Sequence, residues 1–145
     1  MDRIDRAILA VLRTDGRISN LDLAERVGLS PTPCGRRLKR LEDAGVIEGY
    51  AARINPKALG LTISVMIGVR LVKQTPDASA QFLSAIRELP EVTEWMFVTG
   101  SMDYLIRVWV KDVKALRRFI AESLQAIPSV AETSTMVILD SQSAG

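Results

Sequence analysis

The sequence predicts an α+β chain in two parts: a helix-turn-helix, winged-helix-like unit over residues 1–54 and a ferredoxin-like βαββαβ domain over residues 62–145, with a linker at 55–61. Three observations carry this. Apolar residues recur every three to four positions as far as Leu41. Pro56 and Gly60 then break the pattern. Beyond them, strand-like and helical spacings alternate in the order strand, helix, strand, strand, helix, strand.

Asp2 is placed to cap a first helix in which Ile4, Ile8 and Leu12 recur at intervals of four, with Leu9 and Val11 widening the stripe and Gly16 closing it. Ser19 and Asp22 have the spacing of a capping box, and they open a short second helix carrying Leu21, Leu23, Ala24 and Val27. Gly28 ends it. Ala24 four residues before Gly28 is what a helix-turn-helix needs: a small residue where two helices cross, then one free to take positive φ in the tight turn. Val46 to Ile54 is rich in strand formers and reads as a wing or a docking strand.

The third helix, from Ser30 to the stop at Asp43-Ala44-Gly45, carries the chemistry of this unit. Ser30 is a good N-cap, and Pro31 and Pro33 fall in the first turn, where a missing N–H costs little. Cys34, Leu38 and Leu41 share one face; Thr32, Arg36, Lys39 and Arg40 point the other way, with Arg37 on the flank. From Arg36 to Arg40 there are four basic residues and no acid, which suits phosphates and base edges that accept hydrogen bonds. The expected contacts to double-stranded DNA are Ser30, Thr32, Pro33, Arg36, Arg37, Lys39 and Arg40, with Arg36 and Arg40 as the principal anchors. Taken alone, such a helix is more simply a solvated basic face. The capped helix and glycine turn before it favour DNA.

In the second part, Thr62 to Lys73 is apolar on both faces of an extended strand, so both sides should be covered. Thr75-Pro76-Asp77 opens a helix with Phe82, Leu83, Ile86 and Leu89, stopped by Pro90. Val92 to Thr99 and Tyr104 to Val110 form a hairpin across Gly100-Ser101-Met102-Asp103. Asp112 caps a helix with Leu116, Phe119, Ile120 and Leu124, and Val130 to Asp140 is the last strand. Helices on one side leave the other sheet face bare and apolar, which predicts a dimer contact.

Composition narrows the chemistry. With 145 residues and 48% hydrophobic content the chain can bury a real core, and a net charge of +2 confines any nucleic-acid contact to a local patch. The absence of histidine removes the commonest general base and metal ligand, and the single Cys34 can form neither an internal disulfide nor a thiolate cluster, so no metal or cofactor is expected. No apolar run reaches the roughly 18 residues of a membrane span, and the N-terminus lacks a signal-peptide pattern. The expected place is the cytoplasm.

The stretch GLSPTPCGRRLKRLEDAGVIEGYAARINPKALG, from Gly28 to Gly60, closely resembles the recognition helix and following segment of the Lrp/AsnC (leucine-responsive, feast/famine) transcription regulators. VTGSMDYLIRVWVKD, from Val98 to Asp112, resembles the hairpin of their regulatory domain. The resemblance implies a homodimer through the ferredoxin-like domains, assembly into tetramers or octameric discs, and DNA wrapped or bridged across several recognition helices. It also implies control by small molecules, usually amino acids, bound between protomers near the hairpin. The candidate effector residues are Gly100, Ser101, Met102, Asp103, Tyr104, Thr133 and Thr135. Gly35 departs from the family pattern, and a mid-helix glycine costs roughly 1 kcal/mol relative to Ala, so this helix is expected to settle fully only on DNA.

The chemistry of those residues fits a zwitterion: a turn opened by Gly100 offers backbone N–H groups to a carboxylate, and Asp103 offers a charge to an ammonium. Plainer roles exist for both regions. An Asp at a hairpin end often caps the turn, and Thr133 and Thr135 are ordinary strand residues. Met96, Met102 and Met136 nearby favour a hydrophobic effector such as leucine or methionine. Glu88, Glu91, Glu94 and Asp103 are the best candidates for catalysis, but no nucleophile, base or metal set accompanies them. The reading is a sequence-specific, amino-acid-responsive transcription regulator; the alternative is an architectural DNA-organising protein without an effector.

Overall fold

The structure, a computed structural model, describes residues 1–141; the last four residues of the expected 62–145 domain lie outside them. Two compact units divide between Arg53 and Ile54. No helix among the described residues is long and apolar enough to cross a membrane.

The N-terminal unit holds α1 (Arg3–Thr14), α2 (Asn20–Val27) and α3 (Pro31–Asp43) around Ile8, Leu23, Ala24, Cys34 and Leu41, all buried. Asp2 and Asp5 form a full capping box at the start of α1, each carboxylate accepting the other residue's backbone N–H. At α2 only half a box forms. Ser19 accepts the Asp22 N–H, but the Asp22 carboxylate takes the Ser19 hydroxyl instead of its N–H. Ala24 is buried at the α2–α3 crossing, and Gly28 has φ +72°. Burial raises the pKa of the Cys34 thiol, in keeping with a small core residue.

Three expectations for this unit change. Ser30 occupies the N-cap position of α3 with extended backbone, yet its hydroxyl makes no capping bond. The reason is Pro33: it fills the third helical position, whose N–H an N-cap side chain most often takes. Gly16 does not close α1; Asp15 is the C-cap, and its N–H bonds to the Val11 carbonyl. Residues 46–54 form no strand, because strand-forming side chains cannot create a ladder where no neighbouring strand of the unit pairs with them.

The second unit opens with a 3₁₀ turn, Pro56–Leu59, capped by Asn55 and ended by Gly60 at φ +76°. It continues as β1 (Ile63–Leu71), α4 (Pro76–Arg87), β2 (Val92–Phe97), β3 (Tyr104–Val110), α5 (Val113–Arg118) and β4 (Val130–Val137). The sheet order is β2-β3-β1-β4, all pairs antiparallel. After Arg118 the helix widens to a π segment over Phe119–Leu124, with the Gln125 N–H reaching back to Ile120. Phe82 and Ile86 of α4 and Leu116, Phe119 and Leu124 beyond β3 cover one sheet face, burying Val65, Ile67, Val69, Leu71, Tyr104, Ile106 and Val108.

The other face is open. It carries Met66, Met96, Met102, Leu105, Trp109 and Met136, with Arg107 beside Met66 among them and paired to Glu94, and the Arg70–Glu132 pair near the end of β1. β1 is therefore covered on both sides only in part: Ser64 and Gly68 are buried on the open side, while Arg70 is exposed. A Cβ at Gly68 would lie 2.9 Å from Cγ of Met102, whose side chain crosses it and would have to shift. Trp95 and Phe97 lie on the helix side, opposite Ile106 and Tyr104, and stay exposed near the β2 edge.

Candidate nucleic-acid interface and effector site

The recognition helix presents Thr32, Pro33, Arg36 and Lys39 to solvent, together with Ser30 before it. Arg36 has no ion-pair partner among the described residues, and Lys39 pairs with Asp43 one turn on at 3.1 Å, both side chains well exposed. An exposed pair of that kind contributes little and is readily exchanged. The two other arginines are engaged by acids at the start of α1, although the Arg40 side chain remains 62% exposed. Nη1 of Arg37 donates to Asp2 at 2.6 Å and to Asp5 at 2.9 Å. Nη2 of Arg40 donates to both oxygens of Asp5 at 3.0 Å. Hydrogen bonds to the charged form hold both acids below the usual carboxylate range, Asp2 at about 2, chiefly through the reciprocal backbone N–H bonds of the capping box and then through Arg37. The Arg37 guanidinium is raised in turn by the same two acids. Asn20 fixes the other end of α3, its amide donating to the Pro31 carbonyl at 2.9 Å. Gly35 faces that amide, with ordinary van der Waals room for a Cβ at 3.5 Å.

The hairpin of the second unit is built around Asp103. Its Oδ2 accepts the Leu71 N–H at 2.7 Å and the Gln74 amide at 3.2 Å, while its own N–H bonds to the Val69 carbonyl. Asp103 thus ties the hairpin to the end of β1, a capping role across strands rather than within the turn. Gly100 takes φ +114°, a conformation that suits glycine, and the Gly100, Ser101 and Met102 N–H groups donate no hydrogen bond within the described chain. Tyr104 does not face a ligand space. It is 4% exposed, with its ring centroid 4.9 Å from that of Phe82 and 5.2 Å from that of Phe97, because the β3 alternation turns it into the core.

Thr133 and Thr135 pair with Val69 and Ile67, so their side chains stand on the helix side of the edge strand. β1 separates them from the hairpin strands, and Thr133 receives a hydrogen bond from Gln125. What Asp103 does line is a cavity of about 260 Å³ with Leu71, Gln74, Thr75, Pro76, Ser79 and Phe97. Gln74, Thr75 and Ser79 were not expected in the site. Their sequence signal is the Thr-Pro helix start that brings the N-terminus of α4 beside the hairpin.

Two families match the two units: residues 1–48 match a winged helix-turn-helix DNA-binding family, and residues 64–143 match the Lrp/AsnC ligand binding domain. The chain belongs to the Lrp/AsnC family. It is a transcription regulator with a DNA-binding and a ligand-binding domain. Among its relatives, the leucine-responsive regulatory protein of Klebsiella pneumoniae is 45% identical over 140 residues, spanning 97% of this chain and 85% of the relative. That of Escherichia coli K12 is 44% identical over the same shares. A Neisseria meningitidis transcriptional regulator, solved in complex with L-methionine, superposes with a TM-score of 0.92 at 37% identity, covering 97% of this chain and 90% of that one. The feast or famine regulatory protein of M. tuberculosis, also complexed with L-methionine, gives 0.86 at 32% identity, covering 99% and 95%.

Proposed function

We propose that this Lrp/AsnC regulator reads double-stranded DNA through the exposed face of α3, led by Arg36 with Ser30, Thr32, Pro33 and Lys39, and answers to a hydrophobic amino acid held at the hairpin. The carrying observation is the pairing of two features: a helix, α3, whose exposed Arg36 has no ion-pair partner among the described residues, and a turn whose donors Gly100 to Met102 are unspent beside the Asp103 carboxylate. Such a turn binds the effector carboxylate through backbone N–H groups, and Asp103 meets the ammonium while still tied to Leu71. Gln74, Thr75 and Ser79 add polar groups, and Phe97 an apolar wall. L-methionine, the ligand in the two related structures, suits this mixture.

The open sheet face is mainly apolar, with the Arg107–Glu94 pair reaching into its middle and Arg70–Glu132 near one end, and we assign it to a homodimer that assembles further into tetramers or octamers. The protein works in the cytoplasm and catalyses no reaction: its relatives are transcription regulators, and Glu94, one of the candidate acids, is engaged by Arg107. The test is DNA selection from random duplexes, then affinity and sedimentation with each of the twenty amino acids. L-methionine or L-leucine at millimolar concentration should shift DNA affinity or particle size, and Asp103→Ala should abolish the shift. If no amino acid changes either, the effector assignment fails and an architectural role replaces it.

A further inference from the structure

The start of α1 and the middle of α3 are joined by a closed ion network that the DNA reading leaves unused. Asp5 is 1% exposed, and a carboxylate taken that far out of water stays charged only if its oxygens are fully partnered. They are. The Asp2 N–H, Arg37 and Arg40 all donate to it, at 2.9 to 3.0 Å. Asp2 adds a second contact to Arg37 from an exposed position. Of the four cations between Arg36 and Arg40, two are thereby neutralised by acids more than 30 residues earlier in the chain.

Pulling either guanidinium away to a DNA phosphate would leave a buried anion short of its partner, which is strongly unfavourable, whereas Arg36 and Lys39 move to a phosphate or a base at little cost. Non-specific DNA affinity is almost wholly a count of such phosphate contacts, while preference for one sequence comes from base edges and DNA shape. We propose that Asp5, assisted by Asp2, is a positioning residue that withholds Arg37 and Arg40 from DNA phosphates, lowering affinity for random duplex and so raising the preference for the operator. The inference rests on α3 being the DNA-reading helix. It makes two of the basic residues on that helix part of the scaffold and leaves its sequence discrimination to Arg36 and its exposed neighbours.

The experiment measures the affinity of the full chain for a selected operator and for a random duplex of equal length, across a salt series, for wild type, Asp5→Asn and Asp2→Asn. Asparagine keeps the size of each side chain and remains a good N-cap at position 2, so Asp2→Asn is a folded control even where Asp5→Asn lowers the melting temperature. With two arginines freed, Asp5→Asn should steepen the slope of log K against log salt by up to about 1.8, two contacts at roughly 0.9 each, and tighten random-duplex binding on the order of tenfold at low salt. The operator-to-random ratio should fall by a similar factor. Asp2→Asn leaves Arg37 and Arg40 on Asp5 and should change the slope far less than Asp5→Asn does. Wild-type slopes and ratios in both variants would overturn the withholding role. So would an equal loss of operator and random binding at unchanged slope, which is the signature of a purely structural clamp. Failure of wild type itself to bind any duplex would remove the DNA reading instead, a different and recognisable result.

Discussion

The two units hold their candidate contact groups by opposite means. In the N-terminal unit, Arg37 and Arg40 of α3 are fixed by side chains, Asp2 and Asp5, so charge is held by charge. In the C-terminal unit, Asp103 is fixed by the Leu71 backbone N–H and by its own N–H on Val69, so a side chain is held by the sheet. Side-chain networks respond to salt and to pH; a strand ladder does not. The DNA-binding unit is therefore the electrostatically adjustable part, whereas the hairpin is held in a preformed shape.

The largest effects should come from the cores, which also differ. The C-terminal core centres on Phe82, its ring tilted against that of Tyr104, and the N-terminal one on Ile8 and a few aliphatic neighbours. Phe82→Ala should cost about 3–5 kcal/mol and Ile8→Ala about 2–5 kcal/mol. Hydrogen exchange resolved by residue should show Phe82→Ala releasing the β1 and β3 amides while α1 to α3 keep their protection. Equal loss in both units would mean that they unfold as one, and the contrast would lose its thermodynamic meaning.

Next in size is DNA binding. Arg36→Ala should weaken operator binding by about 1–3 kcal/mol and erase preference at one base position, whereas Lys39→Ala should weaken all sequences alike. Anisotropy titrations on operator variants separate the two. An Arg36→Ala protein with intact preference would move base reading elsewhere on α3.

Much of this was legible in the sequence because it depends on local rules. The Ala24–Gly28 turn, the Thr75 and Asp112 caps and the βαββαβ succession of elements follow from spacing and cap chemistry. What was not legible depends on partners distant in sequence or on the absence of one. The Asp5 contacts to Arg37 and Arg40 span 32 and 35 residues, so α3 reads as four free cations when it has fewer. Residues 46–54 have strand composition without a paired strand. The irregular register between Val92 and Glu94 and the π segment after Arg118 are single-residue shifts in hydrogen bonding that leave no compositional trace. Tyr104 shows a simpler limit: proximity to a turn in sequence does not say which sheet face a side chain takes.

A smaller effect tests whether α3 is under strain. Gly35 sits inside the helix, and an added Cβ would meet only the Asn20 amide at an ordinary 3.5 Å. Gly35→Ala should therefore stabilise the N-terminal unit by roughly 0.5–1 kcal/mol, the usual helix gain of alanine over glycine. Chemical denaturation would read it directly. A loss of stability would show that Asn20 cannot give way, and that the departure at Gly35 serves the α2–α3 crossing.

The smallest effects should appear at the extremes of pH and should fall on the N-terminal unit. Asp2 is held at about 2 against a usual 3.8, and Asp5 is lowered as well. A depressed acid stabilises the fold above its unfolded pKa, so this contribution is complete above about pH 4 and lost as pH falls toward 2. Tyr50 is the alkaline counterpart. Its hydroxyl donates to Glu42 at 2.8 Å, and desolvation together with that carboxylate pushes its pKa up to about 12 from a usual 10.0. Because the folded form holds the proton more tightly, the contribution is complete below pH 10 and lost between 10 and 12. Tyr50 is 53% exposed, so solvent screening keeps the effect small. Tyr50→Phe removes both the phenolic proton and the bond to Glu42, and it should flatten the alkaline limb of a stability profile while leaving the acid limb intact. Asp2→Asn should do the reverse, and a variant that flattened both limbs would show that the two ends of the unit are coupled.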